Sequence, residues 1–190
     1  MRSFGVLLAF ALSAVAAPLA CSDVTVYFAR GTSESGTIGT SVGPPLQSAL
    51  TSALGSKSLE FVGVPYAANV LGFLQGGDPA GATTMANLVT SKASACPSTK
   101  IVLSGYSQGA QVAHLAAGKL SSSVQNRVAA AVVFGDPKNG QAFPGPIAGR
   151  VRTFCHSGDN ICDGGIIITP AHGNYAADTP AAASFIVARV

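Results

Sequence analysis

The sequence has no tryptophan, and charged side chains occupy only 10% of its 190 positions. Disordered chains are charged and poor in apolar residues; with 48% hydrophobic residues, this one is neither. Past the N-terminus no apolar run approaches the roughly 20 residues of a membrane span, which argues against a polytopic membrane protein. No clustered Lys/Arg stripe accompanies the formal net charge of +3, so nucleic acid is not an expected partner. There is no CxxC pair for a zinc site and no Asn-x-Ser/Thr sequon for N-glycosylation. What remains is enough chain for one well-packed domain, with 22 glycines among Ala and Val that suit close backbone packing. Its short chemical inventory is six Asp, two Glu and three His.

Met1-Arg2-Ser3, the apolar run Phe4 to Leu12 and the small-x-small triplet Ala14-Val15-Ala16 have the layout of a secretory signal peptide. Residues 1–16 are assigned to it, with cleavage near Ala16 or Ala17, and residues 17–190 to a single domain. The run is too short for a membrane anchor, and Pro18 follows it. Loss of Arg2 lowers the net charge from +3 to +2. The mature protein is expected to be secreted, without stable membrane insertion. Cys21, Cys96, Cys155 and Cys162 all survive cleavage, and an even count in an exported chain reads as two disulfides with three pairings open. Cys155 and Cys162 are close enough to clip one short loop, which leaves Cys21 and Cys96 as a long staple. Loop entropy gives these about 2.5 and about 4.5 kcal/mol.

Near-continuous apolar runs suit parallel strands covered on both faces. Such runs are Asp23 to Ala29, Leu59 to Val64, Lys100 to Leu103, Val128 to Phe134 and Val151 to Phe154. Between them, Gly43 to Leu54, Ala82 to Ser94, Ser107 to Leu120 and Ala181 to Ala188 carry helical spacing. The alternation predicts a doubly wound α/β sheet of about five strands.

Gly105-Tyr106-Ser107-Gln108-Gly109 is Gly-x-Ser-x-Gly, placed after a strand and at the head of a helix as a nucleophile elbow requires. The bland reading is a tight βα turn with an inert serine. A serine hydroxyl barely ionises at neutral pH, so it needs a base, and the base needs an orienting acid. His114 lies seven residues after Ser107 on the same helical stretch and reads as a helix-surface histidine. His156 follows Cys155 with no room for an acid before it. His172, in a Pro-x-His-Gly loop near the C-terminus, is the preferred base. Of the acids between Ser107 and His172, Asp136 reads as a turn residue after the fourth strand and Asp163 as a solvated turn residue. Asp159, inside the short loop Cys155 to Cys162, is best placed to face the imidazole.

With Ala29-Arg30-Gly31-Thr32-Ser33-Glu34, the elbow, Cys155-His-Ser-Gly-Asp159-Asn-Ile-Cys162 and Pro170-Ala171-His172 in hand, the mature chain resembles the fungal cutinases nearly end to end. It is likewise similar to the wider cutinase-like serine esterases of the α/β-hydrolase fold. The resemblance implies a central parallel sheet flanked by helices without a cap domain, disulfides Cys21–Cys96 and Cys155–Cys162, and a triad of Ser107, Asp159 and His172. It also implies an oxyanion hole from the backbone of Thr32 and Gln108, with the Thr32 hydroxyl as a third donor. Many cutinases have serine where this chain has Thr32; threonine keeps the hydroxyl and stiffens χ1. The implied reaction is hydrolysis of cutin-like polyesters and short- to medium-chain acyl esters through an acyl-enzyme, with no metal and no organic cofactor.

Two apolar segments, Val70 to Leu74 and Ile166 to Ile168, are candidates for the lips of an open cleft, with Val70, Leu71, Ile166 and Ile168 as acyl-contacting residues. An apolar rim suits a polyester or lipid-like ester presented at a surface to a monomeric enzyme. Asn69 is a candidate for ordering the oxyanion loop. An acetylxylan esterase shares the fold and triad logic, but the two-disulfide count and Ile-rich lip disfavour it, as does the lack of Trp for sugar stacking. A triacylglycerol lipase would be expected to carry a lid. A non-catalytic secreted surface-binding protein is the reading from another class; an intact Ser, Asp, His order speaks against it.

Overall fold

A computed structural model describes residues 21–190; the signal-peptide assignment at residues 1–16 falls outside the described residues. Five strands form one parallel sheet: β1 (Val24–Ala29), β2 (Leu59–Gly63), β3 (Lys100–Tyr106), β4 (Val128–Phe134) and β5 (Val151–Phe154). Their order is β2-β1-β3-β4-β5. The six helices among the described residues are α1 (Gly43–Ala53), α2 (Val70–Leu74), α3 (Pro79–Ala95), α4 (Gln108–Lys119), α5 (Ser122–Arg127) and α6 (Thr179–Val187).

Every residue of β1 is buried, because both sheet faces are covered. On one face Tyr27, Leu103 and Val133 pack with Met85 and Val89 of α3 and Val112 and Ala116 of α4. On the other, Val26, Phe28, Val102 and Val132 pack with Leu46 and Leu50 of α1 and Ile186 of α6. Fully burying a side chain of this size stabilises the fold by about 1.5–3 kcal/mol.

Strand order reverses between β1 and β3: the chain leaves β1 towards β2 and leaves β3 towards β4. Such a switch point opens a crevice beyond the carboxyl ends of the two strands. The loop after β1 and the turn after β3 therefore meet there. The disulfides join Cys21 to Cys96 and Cys155 to Cys162.

Two boundaries and two short helices depart most from the sequence expectation. β3 continues three residues past Leu103, because Ser104, Gly105 and Tyr106 keep pairing with β4. α3 starts at Pro79 rather than Ala82, since the Asp78 carboxylate accepts from Gly81 N–H and Pro takes the first helical position. α2 and α5, of five and six residues, are too short to show a helical period.

Candidate active site

Ser107 lies between β3 and α4 at φ 56°, ψ −122°, a conformation an L-residue rarely adopts. Its N–H donates to Phe134 O at the end of β4, 2.9 Å away, which pins the turn. The flanking glycines are steric requirements. A Cβ on Gly105 would stand 2.2 Å from Gly109 O, and one on Gly109 would stand 1.9 Å from Ala29 O. Helix and strands thus close around Ser107.

The Ser107 hydroxyl is 2.9 Å from His172 Nε2, and His172 Nδ1 is 2.9 and 3.0 Å from the two oxygens of Asp159. All three residues are buried. With Asp159 ionised, Nδ1 must donate, so the neutral ring offers the Nε2 lone pair to the serine proton. Burial alone would push the Asp159 carboxyl up. Hydrogen bonds from Tyr175 Oη and His172, the charge of His172 and the Ile161 N–H outweigh it and hold the carboxyl below its ordinary value.

His172 sits in a 3₁₀ turn, Pro170–Gly173, whose backbone is also fastened. Tyr106 Oη donates to His172 O at 2.9 Å, and the Tyr106 ring stacks on the imidazole with centroids 5.2 Å apart. Burial, with smaller effects from the Glu34 and Asp159 charges, pushes the Tyr106 phenol up to about 12, so it remains a donor at ordinary pH.

Thr32 stands in the loop after β1, across the crevice. Gln108 Nε2 donates to Thr32 Oγ1 and to Asn69 O, both at 2.8 Å. The fully buried Gln108 side chain therefore braces the two loops that face Ser107. Its own N–H, at the first position of α4, is one of the helix's orphan donors. Asn69 contributes its carbonyl to this brace, while its Oδ1 caps α2 by accepting from Gly72 N–H. The loop is tied down further along: Glu34 accepts from the N–H groups of Gly31, Thr40 and Ser41, Arg30 donates to Glu34 O and Tyr66 O, and Ser33 N–H donates to Ala68 O.

The remaining candidate residues fall elsewhere. His114, expected at the helix surface, is instead largely covered: Nε2 is 2.9 Å from Asp136 Oδ2, and the ring stacks on Phe143 at 3.8 Å. Asp136 does occupy the turn after β4, but it is buried against that ring. His156 pairs with Asp178, and Asp163 is exposed.

A cleft of about 570 Å³ opens over Ser107 and His172, with Val70, Phe73 and Leu74 on one wall and Ile166 and Ile168 on the other. Val70, Phe73 and Leu74 share a face of α2 because they stand at i, i+3 and i+4. Leu71, also expected as an acyl-contacting residue, is exposed on α2 and is not among the residues that line the cleft. Ile167, between two lining residues, is likewise not part of the lining.

Set against known proteins, residues 20–190 match the family model described as Cutinase. A cutinase of Botryotinia fuckeliana is 56% identical over 181 residues, covering 92% of this chain and 90% of that protein. The chain belongs to the cutinase family. It is accordingly a serine carboxylic ester hydrolase of the α/β-hydrolase fold. A Trichoderma reesei cutinase, solved with a phosphonate inhibitor, superposes with a TM-score of 0.85 at 46% identity, covering 88% of this chain and 76% of that one. An acetylxylan esterase is similar at 26% identity and a TM-score of 0.73, covering 90% of this chain and 99% of that one.

Three participants at this cutinase site lack a motif of their own. Tyr106 is the first of the two variable positions of the elbow pentapeptide. Tyr175, whose hydroxyl meets Asp159, stands in no recognisable pattern, and the Gln108 side chain is masked by the role of its backbone. A buried polar side chain beside a nucleophile is the physical sign that marks them, and burial is not legible locally.

Proposed function

We propose that this chain is a secreted, monomeric esterase that hydrolyses cutin-like polyesters and short- to medium-chain acyl esters. One observation carries the reading: Ser107, His172 and Asp159 stand in hydrogen-bonded sequence at the base of an apolar-walled cleft. Ser107 Oγ attacks the ester carbonyl while His172 Nε2 takes its proton. Asp159 holds the tautomer and stabilises the imidazolium. The backbone N–H groups of Thr32 and Gln108 receive the oxyanion. The Thr32 hydroxyl already accepts from Gln108 Nε2, which leaves its own proton to serve as a third donor. His172 then protonates the leaving alcohol, and water, deprotonated by the same ring, releases the acid.

The apolar rim supports an acyl chain at a surface. Val70, Phe73, Leu74, Ile166 and Ile168, which line the cleft, would contact the chain. No described helix is long and apolar enough to cross a membrane. The likeness to an acetylxylan esterase keeps acetyl-carbohydrate hydrolysis as the second reading. A series of p-nitrophenyl esters from acetate to palmitate, run beside acetylated xylan, separates the two. Turnover of esters longer than acetate, with little release of acetate from xylan, is expected. Strict acetyl specificity would overturn the polyester reading.

A further inference from the structure

We infer that His156 is held as an imidazolium and fixes, through the carbonyl of Ala171, the turn that carries the general base. The inference rests on His172 acting as that base. His156 sits in the disulfide-closed loop that bears Asp159, and both of its ring nitrogens are engaged. Nδ1 is 3.1 Å from Ala171 O, and Nε2 is 2.6 Å from Asp178 Oδ2. A carbonyl oxygen and a carboxylate only accept. A neutral imidazole has one N–H, so it satisfies one of them and turns a lone pair on the other. The cationic ring donates to both.

Placing the second proton on Asp178 instead would also leave two good hydrogen bonds. An imidazole is ordinarily the stronger base of the two, so the ring keeps it. The short contact to Asp178 fits a charge-assisted bond. The ring also stacks on Tyr175, centroids 4.2 Å apart and planes 22° from parallel, which favours a cation. The ionisable groups around it are Asp178 and Tyr175 on the turn Tyr175–Asp178, Asp159 on its own loop and His172 beside the carbonyl it holds. Tyr175 stays a neutral phenol, since burial pushes it up, and it donates to Asp159. Among the described residues, His156 is the basic side chain paired with Asp178.

The base turn is thus fastened at two successive carbonyls. Tyr106, from the strand leading to Ser107, holds His172 O; His156, from the loop of Asp159, holds Ala171 O. His156 touches no reacting atom and is a positioning residue. As pH rises and its second proton leaves, one of its two bonds becomes a lone-pair contact. The turn then loosens, and kcat falls on the alkaline side.

Ring 15N spectra of the histidine-labelled enzyme test this, with His156 assigned by the signals lost in His156→Gln. The expected result is both His156 nitrogens protonated at pH 7. In Asp178→Asn the new amide presents an N–H to Nε2, so a neutral ring with its proton on Nδ1 satisfies both contacts, and the alkaline fall in kcat disappears. His156→Gln should lower kcat about tenfold with KM unchanged, well inside the 10²-fold that a 1 Å misplacement costs. A neutral His156 in the wild-type enzyme at pH 7 would overturn the inference. So would identical kcat–pH profiles in the wild type and Asp178→Asn, even if His156→Gln fails to fold. The spectra report on His156 alone, whereas a wrong base assignment shows itself separately, as full activity in His172→Ala.

Discussion

Ser107 is held in a strained backbone conformation by neighbours that leave it no alternative, and its hydroxyl meets a base whose other nitrogen is already committed. Ser107→Ala should leave the fold intact and lower kcat on the order of a millionfold. Initial rates on p-nitrophenyl butyrate, with a thermal melt as the control for folding, check this. Thr32 separates two contributions to the oxyanion hole. Thr32→Ser keeps the hydroxyl that Gln108 braces and should retain most of kcat; Thr32→Ala removes it and should cost on the order of 10²-fold, about 3 kcal/mol of transition-state stabilisation. Equal rates for both variants would remove the hydroxyl from the reaction.

Among the elements, α4 must approach the sheet closely to deliver its first residues to the crevice, and Gly109 permits this. Gly109→Ala would drive a methyl into Ala29 O, with no flexible side chain to yield. It should lower stability by about 3 kcal/mol or more, read as a shift in urea midpoint, and should cost activity beyond the loss of folded protein. In α2 the i, i+3, i+4 face predicts a split. Leu74→Ser should reduce hydrolysis of octanoate more than of acetate, while Leu71→Ser should leave both soluble rates unchanged.

These elements were unequally legible in the sequence. Strands β1 and β4 stand as near-continuous apolar runs because both of their faces are covered. The end of β3 does not, since Ser104 and Gly105 have turn-like identities and are kept extended only by pairing with β4. Three of the candidate site residues, Ser107, Asp159 and His172, are named by local motifs, and the structure brings them within hydrogen-bond reach of one another. The pairings His114–Asp136 and His156–Asp178 each span 22 residues and depend on packing that no local pattern encodes.

For the molecule as a whole, acid is the expected weakness. Burial acts to raise Asp159 and Glu34, but the hydrogen bonds they accept prevail, and both titrate below their ordinary values in the folded state. A carboxyl of that kind contributes stability above its unfolded pKa, near 4, and loses it as pH falls through the depressed folded value. Melting temperature should hold above pH ~5 and fall steadily below pH ~4. Glu34→Gln, which removes the charge and turns one of the two oxygens that accept from the Gly31, Thr40 and Ser41 N–H groups into an amide donor, should lower the plateau and flatten the acid slope. An unchanged slope would remove Glu34 from the acid response.

The proposed chemistry converges on one atom, Ser107 Oγ, and covalent trapping addresses it directly. The intact enzyme would be treated with an alkyl p-nitrophenyl phosphonate and its adduct located by peptide mass spectrometry. Stoichiometric modification confined to Ser107, with matching loss of esterase activity and no adduct in Ser107→Ala or after denaturation, is the expected result. Full activity after trapping, or an adduct on another residue, would contradict the assignment of Ser107 as the nucleophile.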